Sequence, residues 1–314
     1  MEGSTLLRKL REVLSETSTS SFLNDRTSYD NLYDAVGDFN FKTHYLTATQ
    51  TINVTASTSS YNLNPDFVSL ALMDDYNRPF IQWTYNGSTT AIYGRDYRSI
   101  VLENSTATDT VAQSFSIVDA DQPSNITGTA TGIGTSSNGE SNLIDAAANF
   151  STVAVGDFVH NTTQSTDGVV IAGTSSTQLV TAMFTDGVKD ASWSVSDAYV
   201  IVPQPRYQIV FSPTPSDTAT VTIKYVKRPD PVYSLFRAYK LPFNYMLPIV
   251  QFAAFLYKYR DREPNYGDAF FKYYDGFTRK IAAEMRRATG ERQGMRVNFS
   301  KINARSRSIG NWSR

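Results

Sequence analysis

The segment QSFSIVDA runs towards Pro123, and RYQIVFSP follows Pro203 and Pro205. Proline cannot donate to a sheet ladder, so these prolines mark places where strands stop. Removing everything between them would leave SFSIVDADQ facing YQIVFSPTP as a hairpin. Residues 123–205 are therefore read as an insertion into a β-region. Their composition shifts to Gly, Thr, Ser, Asn and Asp, with short strands at VGDFVHN, GVVIAGT, QLVTA, WSV and AYVIV separated by turn residues. The expectation is a small β-sandwich or barrel on a loop tip, where insertions cost little, pointing outward.

The flanking segments carry two periodicities. TINVTAST, YNL, FVSLALMDD, RPFIQWT and YRSIVLEN read as strands of period two, as does TATVTIKYVK before Pro229 and Pro231. Helical spacing appears at both ends. Leu6, Leu7, Leu10, Val13 and Leu14 place a short helix over 4–15, and Leu32, Tyr33, Val36 and Phe39 place another over 28–41. Residues 243–260 are apolar around most of a helix, and 266–288 repeat Tyr266, Phe270, Tyr273, Phe277, Ile281 and Met285 at steps of three and four. Pro264 sits between those two, which predicts an antiparallel helix hairpin. The expected fold class is α+β: a helical bundle of N-terminal helices and C-terminal hairpin, with an antiparallel β-domain and an inserted small β-sandwich or barrel. The expected parts are a core over 1–122, the insertion over 123–205, the returning core over 206–290 and an extended arm over 291–314.

The 314 residues contain no cysteine, which excludes disulfides, thiolate metal sites and cysteine nucleophiles. The two histidines, His44 and His160, lie in no partner motif, and no G-x-S-x-G elbow is present. GTATGIGT at 128–135 lacks the Lys-Ser/Thr of a phosphate loop and is read as a flexible lead-in to the insertion. Asp119-x-Asp121 begins like a calcium loop but meets Pro123 at a ligand position. No catalytic residue, metal or cofactor is expected, and the chain is not expected to be an enzyme. No apolar run reaches the roughly 18–20 residues of a membrane span, and charges at Arg8, Lys9, Arg11 and Glu12 replace the apolar stretch of a signal peptide. Synthesis in a cytoplasm, with no membrane partner, is the expectation.

The net charge of −1 conceals a segregation. Residues 101–200 hold eleven acids against Lys189 alone, whereas 279–314 hold ten bases against Glu284 and Glu291. Within the arm, Arg292, Arg296, Lys301, Arg305 and Arg307 are interleaved with Phe299, Ile302, Ile309 and Trp312. Such a segment suits docking on a protein partner, a solvated end, or contact with a DNA backbone. The apolar side chains are unexplained by phosphate attraction alone.

The order of parts resembles the head-to-tail adaptor (connector) proteins of tailed bacteriophages, particularly the short-tailed kind. The likeness is carried by Tyr61, Leu63, Asp66 and Phe67 in YNLNPDF, by Tyr225, Arg228 and Pro229 in YVKRP, and by the helix hairpin around FAAFLYKYRDREPNYGDAFFKYYDGF. The resemblance implies a structural virion protein at the head–tail junction, assembled in the host cytoplasm. It further implies a homo-oligomeric ring, usually of twelve copies, clamped beneath the portal protein and facing the next tail protein. Genomic DNA would pass through the lumen without sequence-specific binding. In such adaptors the C-terminal segment leaves its subunit for the portal, which would give the nine arm residues above their role. The acidic stretch would then form a lumen or outer wall that repels DNA. The alternative is a carbohydrate- or receptor-binding module in which Trp193 and Tyr199 of the insertion stack on sugars.

Overall fold

The computed structural model describes residues 2–16, 24–74, 78–104, 108–135, 140–185, 188–191, 193–260 and 264–288. Two helices open it, α1 (Gly3–Leu14) and α2 (Asp25–Thr43). α1 buries Leu6, Leu7, Leu10 and Leu14, one stripe at steps of three and four. α2 starts where the Asn24 side chain accepts from the Thr27 amide at 2.8 Å. It stops at His44, whose left-handed backbone (φ 52°) lets its N–H reach the Asn40 carbonyl.

Strands β1 (Thr47–Val54), β2 (Ser60–Asn62), β3 (Phe67–Leu70), β4 (Phe80–Tyr85) and β5 (Ser88–Gly94) follow, then α3 (Tyr97–Asn104), β6 (Thr108–Asp109) and β7 (Ser114–Asp119). The inserted segment supplies β8 (Ile126–Thr129), β9 (Gly132–Thr135), β10 (Ser141–Ile144), β11 (Phe158–Asn161), β12 (Thr166–Ser175), β13 (Gln178–Thr185), β14 (Val188–Ala191) and β15 (Ala198–Val202). The chain then returns through β16 (Tyr207–Ser212), β17 (Thr214–Pro215) and β18 (Ala219–Lys227) to α4 (Met246–Arg260) and α5 (Pro264–Ala288).

The expected α+β architecture built on a helical bundle is corrected by this inventory. Eighteen strands stand against five α-helices among the described residues, and two barrel-like eight-stranded sheets dominate. The alternating segments outnumber the helical ones, and each sheet closes around its own apolar interior.

The first sheet has the order β1-β18-β4-β5-β7-β16-β2, with β3 also on β18. β7 and β16 pair antiparallel from Asp119↔Tyr207 to Ser114↔Ser212, across the whole insertion. The gap between the outer strands is spanned by Gln50 of β1, whose amide donates to the Asn62 carbonyl at 3.1 Å and accepts from the Asn64 N–H at 2.9 Å. Inside sit Ile81, Trp83, Ile209, Phe211, Val221 and Ile223, with the Trp83 and Phe211 rings edge to face at 5.3 Å.

The second sheet runs β8-β15-β11-β12-β13-β10-β9, with β14 on β13. β8 and β9 behave as one bent strand. The Ala130 amide donates to Asp197 O and that of Thr131 to Ile144 O, both at 2.8 Å, so the strand changes partner at the bend and draws β15 and β10 together. The expectation of a flexible lead-in at 128–135 is therefore corrected. Glycine is required there for packing: a Cβ at Gly128 would collide with Tyr199 Oη and stand 2.6 Å from Asp145 Oδ2.

The outward-pointing insertion is also corrected. Along β12 and β13, Val170, Leu179 and Met183 face the barrel's own core, while Val169, Ile171, Val180, Ala182 and Phe184 join the core formed by α1, α2, α4 and α5. Phe184 packs on Tyr29 at 6.4 Å and on Tyr233 at 5.9 Å, with the Arg26 guanidinium over its ring at 5.1 Å. Two carboxylates tie the inserted segment to the chain that follows it, one to the segment before α4 and one to the segment before β16. Glu140 accepts from Ser234 Oγ at 2.6 Å and from Arg237 Nε at 2.7 Å, and Asp157 accepts from Arg206 Nη2 at 3.0 Å.

Candidate functional site

Where the sequence raised a chemical possibility, the structure assigns a structural role or an exposed position. His160 Nδ1 and Asp167 Oδ1 form an exposed pair at 2.5 Å, and His44 ends a helix. Asp119 closes β7, and Asp121 is exposed beyond it. Among the described residues no group of three or more His, Asp or Glu could hold a metal ion. Trp193 and Tyr199 are core residues of the inserted barrel, 6.3 Å apart and edge to face. Trp193 Nε1 donates to Thr181 Oγ1 at 2.9 Å, and Tyr199 Oη donates to Asp145 Oδ2 at 2.8 Å. Neither ring offers a face to a sugar.

The acidic surplus of 101–200 changes its meaning in three dimensions. Glu140, Asp145, Asp157 and Asp197 are buried and saturated with donors. Asp197 takes Asn161 Nδ2, Gln164 Nε2 and the Ser194 amide, all at 2.7 Å. Four of the eleven acids thus hold turns and joints together, so they do not contribute to a charged wall.

The groove that best suits a ligand lies where α2 crosses the end of the first sheet, a space of about 490 Å³. Two local features place its walls. Asn40 of α2 donates to the Lys227 carbonyl at 2.6 Å and accepts from the Leu46 amide at 2.9 Å, pinning the helix to the end of β18. Opposite, the YNLNPDF and YVKRP phrases meet. Tyr225 Oη donates to Asp66 Oδ1 at 2.8 Å, the Arg228 amide donates to the Asp66 carbonyl at 2.6 Å, and the Phe67 and Tyr225 rings lie 5.6 Å apart. Residues far apart in sequence thereby form one wall, with Phe67, Val68, Tyr207, Arg228 and Pro229 facing Tyr33, Asp34, Gly37, Asp38 and Phe41 of α2.

The electrostatics of this groove are uneven. On α2, Asp30, Asp34 and Asp38 recur every fourth residue and share one face. Asp30 is engaged by Arg26 at 3.2 Å and by Tyr233 Oη at 2.6 Å. Asp38 is engaged by Lys42 at 2.7 Å and by Tyr274 Oη. Asp34 has no hydrogen-bond or ion-pair partner among the described residues, and lost hydration together with the Asp30 charge holds its carboxyl above the usual carboxylate range. Burial pushes the Tyr33 phenol up to about 12, against the pull of Arg228, whose guanidinium donates to Gln204 Oε1.

A second surface lies on the α4–α5 hairpin. Its inner side is packed, with Phe252 stacked on Tyr274 at 4.5 Å and Phe255 against Phe271 at 5.1 Å. Its outer side leaves Leu247, Tyr259 and Tyr273 exposed, together with Phe243 in the turn before α4. Phe243 is 77% and Tyr259 68% accessible, unusual values for side chains of this size.

The proposed arm residues, Arg292, Arg296, Phe299, Lys301, Ile302, Arg305, Arg307, Ile309 and Trp312, lie outside the described residues. The groove was missed by sequence reading because the insertion splits one of its walls, setting Phe67 and Val68 far in sequence from Tyr207 and Arg228. The acids at 30, 34 and 38 were the available signal. The chain matches no protein-family model and no curated protein.

Proposed function

We propose that this chain is a structural component of a virus particle, a ring-forming adaptor between a portal and a tail through which genomic DNA passes. Residues 291–314 dock on the portal in this reading. The observation that carries it is the exposed aromatic face of the α4–α5 hairpin. A body that leaves Phe243, Leu247, Tyr259 and Tyr273 in water gains by burying them against another chain. The inserted barrel shares one apolar core with the helices, which stiffens the body of an assembly part. A ring of twelve copies is the number the resemblance carries.

The test uses the particle's own portal ring. The full chain mixed with that ring should sediment as a single large complex, and the chain alone should not. Deleting 291–314 should abolish the complex, and Phe243→Ser with Tyr259→Ser should weaken it at least tenfold. Unchanged sedimentation of the deletion variant would remove the docking role, and unchanged behaviour of the double variant would remove the hairpin face.

A further inference from the structure

The groove beside α2 has a chemistry that one segment of the same chain matches. We propose that it receives residues 289–314 of its own chain, holding them on the body until an external partner takes them. This deepens the assembly reading and rests on 291–314 being a docking segment.

Three observations converge. Charge is the first: Asp34 stands without a counter-ion among described residues, at the centre of a three-acid face, while 289–314 carries six bases against Glu291. Tyr33, Phe41, Phe67 and Tyr207 line the same space, and Phe41 is 55% accessible, so apolar residues spaced between bases find both kinds of contact. Lys42 and Arg26 on the same helix are paired with Asp38 and Asp30, while Arg228 on the far wall donates to the neutral Gln204 and keeps its charge, so Asp34 is the anchor for an incoming base on the α2 side.

Gly37 is the second. It sits mid-helix at the groove, where glycine costs about 1 kcal/mol relative to alanine. A Cβ added there meets nothing within 4 Å among the described residues, so their packing does not demand its absence. The missing side chain leaves α2 open to close approach by another backbone.

Reach is the third. Tyr274 of α5 donates to Asp38, which lines the groove. Fourteen residues separate it from Ala288, about 21 Å at 1.5 Å per residue. Residues 289–299 alone can span about 36 Å extended, enough to return. Tethering keeps the local concentration in the millimolar range, so a weak contact suffices and stays displaceable.

The absence of cysteine makes the test clean. In the full chain, Gly37→Cys is paired in turn with Phe299→Cys, Ile302→Cys or Ile309→Cys, and disulfide formation is followed on non-reducing gels. The control pairs the same tail cysteines with Ser88→Cys, the first residue of β5, at the opposite end of β18 from Arg228. At least one Gly37→Cys pair should close within the monomer about tenfold faster than its control. Adding Asp34→Lys should return it to the control rate without lowering the melting temperature. Equal rates for all pairs, or fast closure that ignores Asp34→Lys, would overturn the inference. Predominantly intermolecular disulfides would overturn it too, by placing the segment on a neighbouring copy. Portal co-sedimentation reads the assembly role separately, so either idea can fail alone.

Gly37→Ala alone should raise unfolding free energy by about 0.5–1 kcal/mol in urea titrations, because helix propensity improves without a clash.

Discussion

Asp157→Ala is expected to lower the unfolding free energy by about 3–5 kcal/mol, the cost of stranding a buried charge. The Asp157 side chain is fully enclosed, and that of its partner Arg206 is only 9% accessible. The carboxylate also accepts the Gln204 amide at 3.0 Å and the Ala154 amide at 2.8 Å, so alanine orphans two backbone donors as well as a guanidinium. Arg206 has little slack, since its Nη1 finds no partner among the described residues. The joint matters because Asp157 belongs to the inserted barrel while Gln204 and Arg206 begin the return to the first sheet. Chemical denaturation followed by far-UV circular dichroism measures the loss. Asp157→Ala combined with Arg206→Met should recover much of it, because the unpaired cation disappears and an apolar chain fills the space. A loss below 1 kcal/mol for the single variant would show that water reaches the joint.

Such joints were partly legible in the sequence. The prolines at 123, 203 and 205 separate β7 from β16, and their pairing could be read because each strand alternates on its own. Helices α1, α2 and α5 announce themselves through leucines and aromatics at steps of three and four. YRSIVLEN did not. It reads as a strand, yet Tyr97–Asn104 is α3. The reason is topological: β5 and β7 pair in parallel at Tyr93↔Ser114, and a parallel pair requires the chain to cross back between them. A helix supplies that return, and of its apolar residues only Ile100 is buried, while Val101 and Leu102 remain exposed. WSV likewise reads as a strand, but β14 ends at Ala191 and Trp193 is buried in the connection that follows.

The same limit hid the groove. Asp30, Asp34 and Asp38 look like an ordinary solvated helix face until Phe67, Tyr207 and Arg228 are set opposite, and that placement depends on the register of β18 and β16. Composition misled in a different way for the acidic stretch, since counting carboxylates cannot distinguish a charged surface from internal hydrogen-bond acceptors. Asp145, Asp157 and Asp197 each accept a backbone amide within a turn, and Asp145 and Asp157 come after short apolar runs, the pattern that marks them as internal.

Phe184→Ala is expected to cost about 3–5 kcal/mol, the range for truncating a buried phenylalanine. It tests whether the inserted barrel is fused to the helices or merely tethered. A free-standing barrel alternates apolar and polar residues along each strand, because one face meets water. β13 does not: from Leu179 to Phe184 every residue is buried. Leu179, Thr181 and Met183 serve the barrel, while Val180, Ala182 and Phe184 serve the helix layer. Phe184 lies among Tyr29, Tyr233 and Arg26, so alanine would leave a cavity bordered by a cation and two phenol rings. With the two parts sharing one core, the parent chain should melt in a single calorimetric transition. The variant should lose cooperativity, its barrel and helix layer separating into two transitions as their common contact weakens. A single transition shifted by less than about 2 °C would mean that the barrel's outer face contributes little to holding the two parts together.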